Sequence, residues 1–452
     1  MEQDNDFSKG HISKLIFHLA IPMTLAQFIN ILYNVVDRMY IGKISNYGSM
    51  ALTGVGLTFP IITFILAFAN LFGMGGAPLC SLERGKGNIE EAEKIIGNAF
   101  SLLISSGVII TVLGLLIKTP IIFLFGASSD TYIYANNYIT IYLIGSVFVM
   151  ISLGMNSFIN SQGFAKTGMI TTLIGAVINI ILDPIFIFFL NMGVTGAALA
   201  TVISQFLSAL WVLKFLTSKK AILKLRRKYL KIDYYLSKKI IGLGLSGFIM
   251  GITNSLVQIV CNINLSIYGG DLYIGIMTVL NSIREVVTMP VLGITNAAQP
   301  VISFNYGAQK IERVKKGINF MSISCIAYTF IIWIILRLFP EFFISIFNSS
   351  EDLIKYGTIA MNIYFFGFFM MSLQFSGQST YLSLEKSKHA IFFSLFRKVI
   401  IVIPLTFLLP KIYDLGVIGV FLAEPISNFI GGLACYLTMR LSIYDKLSEQ
   451  SG

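Results

Sequence analysis

Residues 77–94, APLCSLERGKGNIEEAEK, and residues 299–316, QPVISFNYGAQKIERVKK, are one segment written twice. Pro78 matches Pro300, Ser81 matches Ser303, Gly85 matches Gly307, Ile89 matches Ile311, Glu90 matches Glu312 and Lys94 matches Lys316 at a constant offset. Each copy joins two long apolar runs, 50–79 to 95–117 and 273–304 to 314–338. Crossing the hydrocarbon core takes an α-helix of about 20 apolar residues. Runs of that kind recur at 14–41, 131–160, 167–190, 194–217, 237–267, 356–382, 389–410 and 415–441, making twelve in all. A soluble domain carries about 25% charged residues, whereas this chain of 452 residues has 12% charged and 55% hydrophobic, with a mean hydropathy of +0.79. Lipid satisfies no backbone hydrogen bonds, and the roughly 10-residue alternation of a barrel strand is absent, so the runs are expected to be helices.

A second repeat supports the same division. GVTGAALATVIS from Gly193 aligns with GVIGVFLAEPIS from Gly416. Both repeats fall at equivalent places in two sets of six spans, and an even number of spans per set makes the halves parallel. The predicted architecture is therefore all-α and integral to the membrane, with twelve transmembrane helices in two pseudo-symmetric six-helix bundles around a central cleft. The halves are read as residues 1–217 and 237–452, joined by a basic linker at 218–236. The loop after span six holds ten bases between Lys214 and Lys239 against Asp233 alone, and the loops after spans two, eight and ten are also basic, while the odd-numbered loops are poor in base. By the positive-inside rule the even loops and both termini face the cytoplasm of the cell membrane. The acidic start, MEQDNDFSKGHISK, lacks the basic region of a cleaved signal peptide, so the first span is expected to be retained.

Several function classes find no support. The net charge of +11 lies in loops and obeys a membrane rule, so no nucleic-acid partner is expected. Cys80, Cys261, Cys325 and Cys435 are scattered without a CxxC pair, and His11, His18 and His389 form no ligand set. GxxxxGK[ST], GxSxG and HExxH are missing. An enzyme is therefore not expected, and transport would draw on an ion gradient rather than on ATP.

Polar residues inside apolar spans are costly and are candidates for function. Span one carries Gln27, Asn30, Asn34 and Asp37 at steps that place them on one helical face. Span five carries Asn179 and Asp183 one turn apart, followed by Pro184, which frees a backbone carbonyl. Such helices facing each other would offer a cation several oxygens. The plainer alternatives are an interfacial Asp37 paired with Arg38 and an Asp183 that bonds a neighbouring helix. In span eight Thr278, Asn281, Glu285, Thr288 and Thr295 follow one seam with Arg284 beside Glu285, and span seven adds Asn254 and Gln258. That seam, with Gln27, Asn30 and Asn34 of span one, lines a substrate cleft, or else holds helices together as an Arg284–Glu285 pair and interhelical amides. Glu424, before Pro425, reads as structural, and Arg397 and Lys398 read as lying nearer a span end.

The motifs IPMTLAQFINILYNVVDRMYIG in span one, PLCSLERGKGN, NIILDP in span five and MPVLGITNAAQPVISFNYGA in span eight occur in one order along the chain. Together they resemble the multidrug and toxic compound extrusion (MATE) family, in its MepA-like bacterial branch. The resemblance implies a proton- or sodium-coupled antiporter that exports small lipophilic or cationic compounds by alternating access, works as a monomer in the bilayer and needs no cofactor. It implies a cation site, with sodium as one occupant, at Asp37, Asn179, Asp183 and Thr201, and a polar network extending to Tyr138 and Asn156. One branch of the family carries coupling acids on helices seven and ten; span seven here has Asn254 and span ten has no buried acid, so coupling is expected in the first half. The rival within the wider superfamily is a lipid-linked precursor flippase, disfavoured by a reading in which Arg284 is the clearest buried base.

Overall fold

The computed structural model describes residues 5–44, 47–347 and 350–449, and among them no strand occurs. The first half runs through α1 (Ile12–Gly42), the short α2 (Gly48–Gly56), α3 (Phe59–Gly85), α4 (Ile89–Leu124), α5 (Ser129–Ser161), α6 (Ala165–Pro184) and α7 (Gly193–Thr217). The second begins with α8 (Tyr234–Gly307) and continues through α9 (Ile311–Leu338), α10 (Pro340–Ser345), α11 (Glu351–Tyr364), α12 (Phe369–Ser383), α13 (Ser387–Leu395), α14 (Ile403–Leu408), α15 (Val417–Met439) and the terminal turn α16 (Lys446–Glu449).

A straight helix of the 74 residues of α8 would be about 110 Å long, over three times the thickness of a bilayer core. It folds at Gly270, whose φ of 71° and ψ of −167° suit a residue without a Cβ, and so supplies two spans. α11 and α12 meet at a 48° bend and form one broken span, and α13 runs on into α14 as another. With these the count of twelve spans agrees with the apolar runs.

The chain divides into two compact units, one built on Ile21–Gly244 and the other on Phe7–Ala20 with Leu245–Gly452. The division passes through α1 just before Pro22. In the first unit α5 is the hub: 67% of its most apolar window is buried, against 11% for α4, which leaves α4 facing lipid. In the second unit Leu280, Ile283, Phe365, Phe368 and Phe421 belong to one apolar core.

Both units show the repeat in their bonding. Ser81 donates to the Ser161 carbonyl at 3.1 Å, and its counterpart Ser303 donates to the Ser383 carbonyl at 3.0 Å. Left-handed residues stand after the second, fourth and fifth spans of each half: Gly87 and Gln309, Gly163 and Glu385, Gly193 and Gly416. The fifth span of each half also widens into π winding, at Ile185–Phe189 after Pro184 and at Phe396–Val402 after α13.

The basic linker is held rather than free. The Leu223 amide donates to Gln162 at 2.8 Å, the Lys224 amide and the Arg226 guanidinium bond the buried Glu93, and Asn98 donates to the Asp233 carbonyl. Where the chain then enters α8 it packs backbone to backbone on α3. A Cβ on Gly244 would overlap the Leu71 carbonyl, and one on Gly75 the Ile240 carbonyl, the close approach that small residues permit in membranes. Gly244→Val is expected to cost about 1–3 kcal/mol, measured as a lower melting temperature of the purified protein; an unchanged value would show that the contact is dispensable.

Candidate ion-coupling site

Four helix ends of the first unit meet in one polar cluster. Asp37 lies in the last turns of α1, and Asn179 and Asp183 in the last turns of α6. Thr201 lies near the start of α7 and Tyr138 near the start of α5. All five side chains are buried, Asp183 completely. Asn179 Nδ2 donates to Asp183 Oδ1 at 3.3 Å and reaches Thr201 Oγ1 at 3.4 Å. Thr201 Oγ1 donates in turn to the Ala197 carbonyl at 3.1 Å, so its lone pairs stay directed at Asn179. The Asp37 and Asp183 carboxyl groups are near neighbours, and the Tyr138 side chain lies beside Thr201.

The fold supplies this arrangement locally. Asn179 and Asp183 stand one turn apart and therefore share a face. Pro184 donates no backbone hydrogen bond, and the helix relaxes there into π winding instead of continuing as α. Arg38 leaves Asp37 alone: its guanidinium sits 4.3 Å above the Phe59 ring, and no ion pair joins it to Asp37 among the described residues. Asp37 Oδ1, Asp183 Oδ2 and Asn179 Oδ1 are buried without any hydrogen-bond donor. Buried polar atoms are rarely left so. Two neighbouring carboxyls, each with an unpaired oxygen, and the free oxygen of Asn179 can share a proton or present a hard cation with the oxygens it prefers.

Not every expected residue joins the cluster. Asn156 is 18 residues beyond Tyr138 on the unbroken α5, about 27 Å along the axis. It donates to the Gly168 carbonyl at 3.1 Å, at the opposite end of α6 from Asp183, so helix pitch separates it from the network that the resemblance implied. Tyr33, one turn before Asp37 on the same face, is the residue that the sequence reading missed there. Of the remaining α1 residues, Gln27 and Asn30 are half-buried, and the exposed Asn34 folds back onto the Asn30 carbonyl at 2.7 Å.

The second unit holds a different cluster. Asn254, Gln258, Asn281 and Arg284 do line one cavity. Arg284 does not pair with Glu285, which is exposed; it pairs with Glu424 at 3.3 Å. Neighbours in a helix point about 100° apart, so residues 284 and 285 cannot both face that cavity. Arg397 and Lys398, read as lying nearer a span end, are deeply buried on the π segment and reach Glu424 at 3.4 and 3.0 Å. The second half thus contains two deeply buried bases, Arg397 and Lys398, with the partly exposed Arg284 beside them.

Comparison with known proteins agrees with this fold. The MatE family model matches residues 22–185 and 248–408, well over half of the chain. The "Multidrug export protein MepA" of Staphylococcus haemolyticus is 26% identical over 447 residues, covering 98% of this chain and 97% of the relative. That of Staphylococcus aureus strain MSSA476 is 24% identical over 448 residues, covering 96% of each. Among solved structures, a MATE in the bent conformation superposes with a TM-score of 0.93 at 22% identity over 99% of both chains. An outward-facing multidrug resistance MATE family transporter of the MOP superfamily superposes at 0.90 with 21% identity over 98% of both. With twelve spans, a doubled bundle and a family match along both halves, the chain belongs to the MatE family of membrane transporters.

Proposed function

We propose that this chain is a cation-coupled antiporter that exports amphiphilic, often cationic, compounds from the cell by alternating access. The observation that carries the reading is the pair of neighbouring, buried carboxyl groups of Asp37 and Asp183, in which one oxygen of each acid and the side-chain oxygen of Asn179 lack donors. The names of the staphylococcal relatives support the export of drugs as the task. With both acids unprotonated, the pocket repels its own charge and is ready to take up a proton or sodium ion. Occupation removes that repulsion and lets α1 and α6 draw together. The sharp feature along α1 is Pro22, where the helix lacks one backbone bond and bends at least cost. The ion and the drug thus favour different shapes of the first unit, which is what exchange requires. Asn179 and Thr201 hold the acids in register, and Tyr138 closes the pocket from α5.

Ethidium efflux from cells expressing the protein is expected to run outward and to stop when the coupling gradient is collapsed. Dissipating the proton and the sodium gradients separately identifies the ion. Efflux that survives the loss of both gradients would remove the antiporter reading.

A further inference from the structure

We propose that the second unit contains a binding site for a single small anion, of the size of chloride, beside Arg284. Glu424 is the one carboxylate in this cluster, and its Oε1 faces three bases: Lys398 at 3.0 Å, Arg284 at 3.3 Å and Arg397 at 3.4 Å. Two deeply buried bases, Arg397 and Lys398, and the partly exposed Arg284 share that one carboxylate. An uncompensated buried ion costs several kcal/mol, so the cluster calls for more negative charge than Glu424 supplies. The remaining acceptor is neutral: Arg397 also bonds the side-chain oxygen of Asn428. Arg397 Nε, on a side chain 95% buried, has no acceptor at all.

A cavity of about 20 Å³ adjoins one end of the cluster, away from Arg397 and Lys398. Arg284 and Glu424 line it, together with the side-chain amides of Asn254, Gln258 and Asn281. Asn281 Oδ1 is already engaged by the Tyr364 hydroxyl at 3.3 Å, which leaves the Asn281 NH₂ group as a donor toward the cavity. A space of this size holds about one water-sized occupant. Donors, excess positive charge and a one-atom volume select a halide over sulfate, phosphate or an organic carboxylate. The site is independent of the ion-coupling acids, since none of its residues belongs to the first unit.

The test is the melting temperature of the purified, full-length protein at constant ionic strength. Chloride or bromide replacing gluconate is expected to raise it saturably, by about 2 °C, while sulfate leaves it unchanged. Arg284→Gln removes one base and is expected to abolish the halide effect. Crystals of the unaltered protein soaked in bromide should show an anomalous peak against Arg284, which keeps the test decisive if the variant fails to fold. Equal melting temperatures in halide and gluconate, an equal rise in sulfate, or a bromide-soaked crystal without that peak would each overturn the site.

Discussion

Asp183→Asn is expected to reduce drug-stimulated ion flux in proteoliposomes to the protein-free background while the protein stays folded. Asparagine matches the shape of the carboxylate and can keep an acceptor toward Asn179, now 3.3 Å away. It neither binds a proton nor contributes charge to a cation. The substitution also removes one of two neighbouring buried acids, and relieving their like-charge repulsion at 0% exposure leaves stability equal or higher. Loss of flux with an unchanged melting temperature is therefore the signature of a coupling role rather than a structural one. Asn156→Ala provides the contrast: about 27 Å along α5 from Tyr138, it should leave the flux intact. Unchanged flux in Asp183→Asn would remove that residue from coupling.

Glu424→Gln is expected to be the most destabilising conservative change in the chain, at about 3–5 kcal/mol. It strips the buried Arg397 and Lys398, and the partly exposed Arg284, of their shared counter-ion in one step. The loss should appear as a broadened or aggregated gel-filtration profile in detergent. Adding Lys398→Met to the same chain removes one of the stranded charges and is expected to recover a large part of the stability. That non-additivity is the proof of direct coupling. A single variant that melts with the unaltered protein would show that the cluster is not held by Glu424.

Much of the fold was legible because lipid demands long apolar helices and charge asymmetry orders their loops. The fold at Gly270 falls in the gap read between the apolar runs 237–267 and 273–304, and the serine-to-carbonyl bonds of Ser81 and Ser303 follow from the repeated loop. The acids of the first unit were legible for a local reason: Asn179 and Asp183 sit one turn apart in an apolar run, with proline next. Thr201 and Tyr138 were reached through the family resemblance, and so was Asn156, which the helix pitch of α5 carries to the other end of the bundle. The cluster around Glu424 was not legible as a unit. Its bases lie 26 to 140 residues from Glu424 in sequence, and Glu285, adjacent to Arg284, offered a nearer but wrongly directed partner. One signal was available: Arg397 and Lys398 interrupt the apolar run 389–410 and need an acid in a neighbouring span, where Glu424 is the candidate.

The π winding in the fifth span of each half bears on how the two halves diverged. Gly163 and Glu385 are one residue less far apart than Gly193 and Gly416, so the later copy gained an insertion between those turns. An added residue in an α-helix would rotate everything beyond it by about 100° and turn buried faces outward. A π turn absorbs the surplus locally, and the later copy has the longer π run, seven residues against five. The wider winding also turns successive side chains through a smaller angle, which lets the adjacent Arg397 and Lys398 converge on one carboxylate. A duplicated ancestor would thus have acquired a new charge centre in one lobe by lengthening a single helix, without disturbing the packing on either side of it.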